Sequence, residues 1–246
     1  MRKCFVGFFG INRSLRWTHE SIKNNIISPL TASGIKPVIA AHFNRPEYFH
    51  SPRSSEFNIP FNTAGLEMLD LELLWLEPQV DNNILPELPL VLRTPVKNEA
   101  DPDGIIRRNA LHQLHSLSRL SRLLDLMEPS SFELFCFLRA DLMYLDPMPV
   151  DKIMGMINQG VDIVTADWHK WSGLNDRFAF CSRRGAHAYL NRRTWVPRLC
   201  SEAGTFHSES LLLFMIEKTG LRCGFTSMRA RRVRANGFVK EEDFNL

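Results

Sequence analysis

Several short motifs that identify well-known protein classes are absent from this sequence of 246 residues. It has neither Gly-x-Gly-x-x-Gly nor Gly-Lys-Ser/Thr, which disfavours a dinucleotide-binding or Walker-type phosphate site. No Gly-x-Ser-x-Gly elbow occurs, and no cysteine has an obvious histidine partner for nucleophilic catalysis. The five cysteines are odd in number and include no Cys-x-x-Cys pair, which indicates reduced core thiols rather than disulfides or a zinc site.

Long apolar runs are also lacking. No stretch approaches 18 consecutive apolar residues, and the apolar run near the N-terminus is too short for a signal peptide. We therefore expect a cytoplasmic protein without a transmembrane segment. With 44% hydrophobic and 23% charged residues, the composition is that of a soluble globular protein, and the length allows one sizeable core.

The net charge is only +3, which is too small to indicate nucleic-acid binding by itself. The basic residues are nevertheless unevenly distributed, because five arginines crowd the C-terminal region. These are Arg222, Arg229, Arg231, Arg232 and Arg234. Such a local cluster indicates a local anionic ligand more than a field around the whole protein.

Strand-like and helix-like segments alternate along the chain. The strands are predicted at 4–9, 37–42, 132–138, 161–166 and 178–182, and the helices at 14–30, 105–127, 151–159, 186–191 and 209–218. Segment 66–76 is dense in leucine and could be a short helix or a strand. We expect a loop at 44–62 and a proline-rich excursion at 78–104. The alternation predicts an α/β fold with a mainly parallel sheet flanked by helices.

A charged pair follows the most apolar predicted strand. The strand that ends at Leu138 is followed by Arg139, and Asp141 comes two residues later. In open α/β sheets, ligands bind beyond the carboxyl ends of the strands, so this pair could meet a phosphate, a ribose or a metal ion there. A strand end that simply becomes solvated would show the same spacing.

Three further segments carry candidate functional residues. Gly10 to Arg13 form a turn between a strand and a helix, where free backbone N–H groups can meet an anion. Segment 168–177 has two tryptophans beside a polar triplet, and reads either as a pocket wall or as a surface loop packed onto the core. Ser208 and Glu209 open an apolar helix, so they could equally be a helix cap and a first-turn acid.

Two other pairs have simpler explanations. Asp101 and Asp103 have the spacing of metal-binding carboxylates, but their proline-rich setting indicates a cap on the following helix. His112 and His115 are three residues apart on the longest predicted helix. No third ligand accompanies them in sequence, which favours hydrogen-bonded or solvated histidines over a zinc site.

Taken in order, these motifs resemble nucleotide-sugar glycosyltransferases of the GT-A fold, and in particular bacterial enzymes that build surface polysaccharides. The resemblance rests on Phe-Phe-Gly-Ile-Asn-Arg ending at Arg13, Phe-Leu-Arg-Ala-Asp-Leu-Met-Tyr around Asp141, Gly-Leu-Asn-Asp-Arg-Phe-Ala-Phe-Cys-Ser, His-Ser-Glu-Ser-Leu-Leu, and Val-Arg-Ala-Asn-Gly ending at Gly237. It implies a single domain over 1–246, with a nucleotide-binding part at about 1–145 and an acceptor-binding part at about 146–246.

The resemblance also implies roles for individual residues. The donor nucleotide would lie near Gly10 and Arg13, and Arg139 and Asp141 stand where the family has its Asp-x-Asp motif. A divalent metal, Mn²⁺ or Mg²⁺, would be bound by Asp141, although the arginine in place of the first aspartate could do part of the metal's electrostatic work.

The resemblance further implies a general base, cations at the leaving group, and the partners of the reaction. Glu209 is the first candidate for general base and Asp176 the second. The C-terminal arginines, Arg231 and Arg234 among them, would stabilise the departing nucleoside diphosphate. The implied partners are a nucleotide-sugar donor and a glycan or lipid-linked acceptor, the latter with possible peripheral association with a membrane.

Two other functions are compatible with the sequence. A nucleotidyltransferase could use a similar sheet, although such enzymes usually carry a Gly-rich loop and a lysine after the first strand. An RNA- or polyanion-binding module could use the C-terminal arginines, and its affinity would fall steeply with salt. Aromatic and basic residues are not interleaved on short strands, so binding to nucleic acid is the less favoured of these.

Overall fold

A seven-stranded sheet forms the centre of the protein. The computed structural model describes residues 2–51, 56–96 and 101–241. The strand order is β10-β8-β9-β6-β1-β2-β5, and every neighbouring pair is parallel except the two pairs made by β9. Its strands are β1 (Arg2–Phe9), β2 (Ile35–Arg45), β5 (Leu71–Pro78), β6 (Leu134–Arg139), β8 (Ile163–Ala166), β9 (Phe178–Cys181) and β10 (Cys223–Thr226). The prediction of an α/β fold with a mainly parallel sheet is confirmed.

Two short strand pairs lie outside this sheet. An antiparallel hairpin consists of β3 (Tyr48–Ser51) and β4 (Glu56–Pro60). A second antiparallel pair joins β7 (Leu142–Tyr144), just after β6, to β11 (Ala230–Arg232) near the end of the described chain. Both pairs lie next to strands whose carboxyl ends carry candidate site residues.

Helices cover both faces of the sheet. They are α1 (Leu15–Ile22), α2 (Ser28–Ala32), α3 (Glu87–Arg93), α4 (Ile105–Asp125), α5 (Val150–Asn158), α6 (Arg183–Leu190), α7 (Val196–Ala203) and α8 (Ser208–Thr219). Helices α1, α2 and α5 pack on one face, and α3, α4, α6, α7 and α8 on the other. Short 3-10 helices lie at Leu66–Met68, Asp81–Ile84, Pro129–Ser131 and Arg192–Trp195. No described helix meets the length and hydropathy that a membrane crossing requires.

Successive side chains of a strand point to opposite faces of the sheet, so each central strand contributes residues to both cores. In β1, Phe5 and Phe9 face the α4 side, while Cys4, Val6 and Phe8 face the α1 side. Both sets are fully buried, which accounts for the continuous apolar run in the sequence.

Close packing of α4 on β1 depends on a glycine. Gly7 lies between Phe5 and Phe9 on the strand, and a Cβ atom at this position would stand 2.6 Å from Leu120 of α4. Since real Cβ atoms essentially never approach this closely, a larger residue here would force the side chains of Leu120 and Phe5 to shift. Glycine thus suits the close packing of the longest helix on the first strand.

All five predicted strands and the main helices are present, but four predictions were wrong or incomplete. Segment 44–62 is not a plain loop, because it contains the β3–β4 hairpin; residues 52–55 lie outside the described part. The 78–104 excursion contains α3, with 97–100 not described. Segment 66–76 combines a 3-10 turn with the start of β5, and the first helix is interrupted by a π-helical turn at Lys23–Ile27.

The five cysteines are free, as the sequence predicted. Cys4 and Cys136 lie on neighbouring strands β1 and β6, with their sulfur atoms 3.4 Å apart in the core. Burial raises the pKa of the Cys4 thiol well above its ordinary value, so it packs as an uncharged apolar group.

Candidate active site

The candidate residues lie at the carboxyl edge of the sheet. Strands β1, β2, β5, β6, β8 and β10 all end there, because they run in the same direction. Strand β9 runs the opposite way, so the residues that precede it, Asp176 and Arg177, reach the same edge. This geometry brings together residues from distant parts of the chain.

Arg139 and Asp141 form a bidentate ion pair in which the carboxylate is buried and the guanidinium half-buried. Arg139 donates from Nε to Asp141 Oδ1 at 2.8 Å and from Nη2 to Oδ2 at 2.7 Å. Burial by itself would raise the pKa of the Asp141 carboxyl, but the charge and hydrogen bonds of Arg139, with Arg13 and Arg234 beyond it, hold that pKa well below its ordinary value. Asp141 is therefore a permanent anion inside a group of arginines. It is not a solvated strand end.

The β3–β4 hairpin supplies a second carboxylate to this group. Glu56, fully buried, accepts a hydrogen bond from Arg13 Nη1 at 3.3 Å and another from the backbone N–H of Ala235 at 2.8 Å. The guanidinium of Arg13 also lies over the ring of Phe49, 5.6 Å from its centroid. The hairpin thus fixes Arg13 at the sheet edge.

A C-terminal segment completes the cationic group. The backbone N–H of Val233 donates to the carbonyl of Asp141 at 2.8 Å, which places Arg232 and Arg234 beside it. Burial, with the charges of Arg13 and Arg232, lowers the pKa of Arg234 to about 10, although Asp141 and Glu56 oppose the shift. Like charges that depress one another in this way indicate an excess of cations, which an anionic ligand would relieve.

The turn after β1 has a backbone geometry that lets a ligand approach the main chain closely. Gly10 has φ +97°, a left-handed conformation, and its N–H donates to Ser116 Oγ of α4 at 2.8 Å. Asn12 and Ser14 follow as buried residues whose Nδ2 and Oγ atoms have no partner among the described residues. Such buried polar atoms are normally satisfied, so they mark the turn as a place where a ligand or water binds.

Gln113 connects the arginine group to a second centre. It accepts a hydrogen bond from Arg139 Nη1 at 3.3 Å and donates from Nε2 to Asp176 Oδ2 at 2.6 Å. Asp176 is also 3.6 Å from Nη2 of the fully buried Arg192. A continuous polar path therefore runs from Asp141 to Asp176.

Asp176 and Glu209 form an interacting pair of buried carboxyl groups. Burial and the charge of Glu209 raise the pKa of Asp176, against the attraction of Arg192 and Arg139. Burial would raise the pKa of Glu209 too, but His207, with Nδ1 2.7 Å from Glu209 Oε2, and the Ser208 hydroxyl, which donates to the same oxygen at 2.8 Å, lower it. Two carboxyl groups with pKa values pushed apart are typical of acid–base sites.

The loop before β9 is held against Glu209 by a glycine. Leu174 N–H donates to the Glu209 carbonyl at 3.1 Å, and a Cβ at Gly173 would lie 2.1 Å from that same oxygen. The preceding residues His169, Trp171 and Ser172 all have positive φ. Strained non-glycine residues of this kind cluster at functional sites, and the segment is packed onto the site rather than free on the surface.

A separate buried group lies at the ends of β2 and β5. His42, Glu77 and His115 place three ligand atoms within 4.8 Å of one another, so this group could hold a metal ion. Its hydrogen bonds are already extensive: Arg119 binds both Glu77 oxygens, at 3.0 and 2.8 Å, and Arg193 donates to His115 Nδ1 at 3.0 Å. A bound cation would have to displace these arginines.

The pKa values of the group agree with a neutral histidine pair beside an ionised glutamate. Burial lowers the pKa of His42 to about 4, in spite of Glu77. Burial would raise the pKa of Glu77, but Arg119 and His115 lower it to about 2. The sequence paired His115 with His112, whereas the structure joins it to two residues from other elements.

The predicted site residues fall into two connected centres. Arg139, Asp141, Arg13 and Arg234 meet at the arginine group, with Gly10 on the neighbouring turn, and Asp176 and Glu209 meet at the carboxyl pair. Arg231 pairs instead with Glu241. Asp101 caps α4, as predicted, by accepting from the N–H groups of Ile106 and Arg107.

Sequence reasoning missed Gln113, Glu56 and His207. Gln113 and Glu56 carry no local motif, since their importance comes only from what the fold brings beside them. His207 did have a signal, because it immediately precedes the Ser208-Glu209 pair.

The chain is similar in fold to solved structures of other proteins, at low sequence identity. The chain is similar to mouse xyloside xylosyltransferase 1 in its apo form, with 11% identity over 92% of this chain and 85% of that chain and a TM-score of 0.45. It is also similar to a glycosyltransferase involved in the glycosylation of the major capsid of PBCV-1, with 11% identity, 92% and 81% coverage and a TM-score of 0.42. No protein-family model and no curated protein matches the sequence.

Neither of these proteins is described as an enzyme of bacterial surface polysaccharides, so that part of the predicted resemblance stays a prediction. At these identities and TM-scores, the function has to be inferred from the residues of the site itself.

Proposed function

We propose that the protein is a glycosyltransferase that moves a sugar from a nucleotide-sugar donor to a hydroxyl of a glycan or lipid-linked acceptor. The observation that carries the proposal is the pairing of a half-buried arginine group with a buried carboxyl pair, joined by Gln113. Transfer from a diphosphate donor needs cations at the leaving group and a base at the acceptor, and these two centres supply both.

The arginine group is proposed to bind the donor diphosphate. Arg13, Arg139, Arg232 and Arg234 outnumber the two carboxylates among them, and two of the arginines depress the pKa of a third. Since negative charge grows on the diphosphate as its bond to the sugar breaks, cations fixed in advance stabilise the transition state more than the ground state. The turn from Gly10 to Ser14, with its unpartnered polar atoms, would bind the nucleoside.

A dedicated Mn²⁺ or Mg²⁺ cage does not fit these residues well. Both oxygens of Asp141 accept from Arg139, and the other nearby carboxylate, Glu56, is held by Arg13 and the N–H of Ala235. We therefore assign the stabilisation of the diphosphate to the arginines.

The carboxyl pair is proposed to receive the acceptor proton. Glu209 is kept ionised by His207 and Ser208 and is our first candidate for the base, with Asp176 second. The acceptor hydroxyl would give its proton to Glu209 while its oxygen bonds to the anomeric carbon. The bond from that carbon to the diphosphate breaks, and the electron pair leaves with the nucleoside diphosphate. Gln113 would orient Asp176 through its 2.6 Å hydrogen bond.

The proposal is tested by binding and turnover in parallel. Nucleoside diphosphates should raise the melting temperature of the protein by mass action, with or without Mn²⁺. With a panel of nucleotide sugars, Glu209→Gln should reduce donor consumption by about 10²–10⁴-fold, the contribution of general base catalysis, and leave nucleotide binding intact. Glu217→Gln, an exposed glutamate two turns further along α8, is the matched control and should stay active.

Three results would count against this function. No stabilisation by any nucleotide would remove the donor site, and full activity of both Glu209→Gln and Asp176→Asn would remove the proposed base. Release of pyrophosphate from a nucleoside triphosphate, without sugar transfer, would indicate a nucleotidyltransferase instead.

A further inference from the structure

A second basic cavity lies on the other side of α4 from Gln113. Its volume is about 260 Å³. Among the described residues that line it none is acidic, and the polar ones include Asn82, Asn83, His115, Arg119, Arg122 and Arg193. Around the axis of α4, His115, Arg119 and Arg122 lie about 160°, 120° and 180° from Gln113, which faces Asp176. The cavity is therefore separate from the proposed active site.

One of the three arginines has a purely structural role. Arg193 uses all five N–H groups within the protein: with Glu87 at 3.0 and 2.6 Å, with the carbonyls of Asn83 and Leu85 at 3.0 and 3.4 Å, and with His115 Nδ1 at 3.0 Å. It therefore adds positive charge to the wall of the cavity but has no donor left for a ligand.

The other two arginines retain donors. Arg119 spends Nε and one Nη2 hydrogen on Glu77, which leaves three N–H groups without a partner in the described part of the chain. Its guanidinium is held in place over the ring of Trp75, 4.8 Å from the centroid. Arg122, one turn further along α4, is exposed and makes no hydrogen bond or ion pair within the described ranges.

The hydrogen bonds of His115 indicate that its imidazole is neutral where it lines the cavity. Arg193 can only donate, so His115 Nδ1 is an acceptor and Nε2 carries the proton that is donated to Glu77 Oε2 at 2.6 Å. Glu77 is thus neutralised behind the cavity by Arg119, and Glu87 by Arg193. The charge that remains uncompensated at the cavity is that of Arg122.

We infer that this cavity is a binding site for a tetrahedral oxyanion, the phosphate or sulfate group of a small ligand, with Arg119 and Arg122 as its donors. Guanidinium groups one helical turn apart can each give paired N–H donors to such a group, whose oxygens accept from several directions. The fixed Arg119 and the exposed Arg122, which has no partner within the described ranges, then form a half-built clamp that the ligand closes. This inference does not depend on the proposed glycosyl transfer.

The test measures binding of inorganic phosphate by isothermal titration calorimetry, to the wild type and to Arg122→Gln in parallel. Arg122→Gln should weaken phosphate binding about tenfold, the usual loss for one charge-assisted contact. Because Arg122 has no partner in the described structure, this variant should fold normally. The control is Arg2→Gln, an exposed arginine at the opposite edge of the sheet, which should bind phosphate like the wild type.

Parallel titrations identify the form of the ligand. Tighter binding of a hexose phosphate than of inorganic phosphate would identify a sugar phosphate, and equal binding of phosphate and sulfate would identify the free ion. The inference is overturned if Arg122→Gln binds phosphate within twofold of the wild type, because the anion would then be bound outside this cavity.

Discussion

Removing Arg139 should reveal how strongly the buried charge of Asp141 depends on its partner. In Arg139→Met, the carboxylate loses two hydrogen bonds, of 2.8 and 2.7 Å, and its nearest cation. Breaking one side of a buried ion pair costs about 3–5 kcal/mol, and since Arg13 and Arg234 still face Asp141, we expect the lower end, about 3 kcal/mol.

The pH dependence gives this prediction a sign. In the wild type the pKa of Asp141 lies below its unfolded value, so its stabilising contribution is present at neutral pH and lost only in acid. Without Arg139, burial should raise the pKa above the unfolded value. The contribution of this carboxyl to stability would then increase as the pH falls from 7 towards 5, whereas in the wild type it is nearly constant over that range and is lost only at lower pH. Urea unfolding at pH 7 and pH 5, followed by circular dichroism, measures both free energies.

A double variant provides the control for this reasoning. Arg139→Met with Asp141→Leu removes both charges, so its free energy of unfolding should lie within about 1 kcal/mol of the wild type and above that of the single variant. A single variant that loses less than about 1 kcal/mol, or a double variant less stable than the single, would refute the claim that Asp141 is held as a buried anion by Arg139.

Two further predictions concern packing and protonation. Gly173→Ala would force a Cβ against the Glu209 carbonyl, so thermal denaturation should show a loss of about 1–3 kcal/mol together with lower turnover. Gly155→Ala in α5, where a Cβ meets no atom within 4 Å, should instead gain about 0.5–1 kcal/mol. Burial lowers the pKa of His112 to about 4 against the attraction of Asp81, so the wild type should lose stability relative to His112→Gln as the pH falls from 6.5 to 4, by about 3 kcal/mol in urea titrations. A constant difference between the two proteins over that range would contradict the assigned shift.

Much of the fold could be predicted because its signals are local. Strands β1 and β6 are apolar on both faces, which is what a parallel sheet covered by helices requires. The β3–β4 hairpin could not be predicted in this way, since its sequence is polar and rich in proline. Its position depends on tertiary contacts, such as Phe49 under Arg13 and Glu56 on the backbone of Ala235.

The candidate site was only partly predictable for a related reason. Arg139 and Asp141 could be found because they end an apolar strand. Gln113, however, is one polar residue among many on α4, and nothing in its neighbourhood distinguishes it from solvated positions. Its two hydrogen bonds exist only because α4 packs closely on Gly7 and because β9 runs antiparallel.

The C-terminal segment over Asp141 has a consequence for the dynamics of the site. The arginine group is closed by contacts between residues far apart in sequence, such as Arg16 with Ala235, which are 219 residues apart. Segment 233–240 donates from the N–H groups of Val233 and Ala235 to the Asp141 carbonyl and to Glu56, and from that of Arg234 to its own Phe238. We expect it to open as a unit while the sheet stays folded. The hydrogens of these three amides should exchange with solvent faster than those of β1, and their exchange should slow down when a nucleotide binds. The affinity for the ligand would then include the free energy of closing this segment.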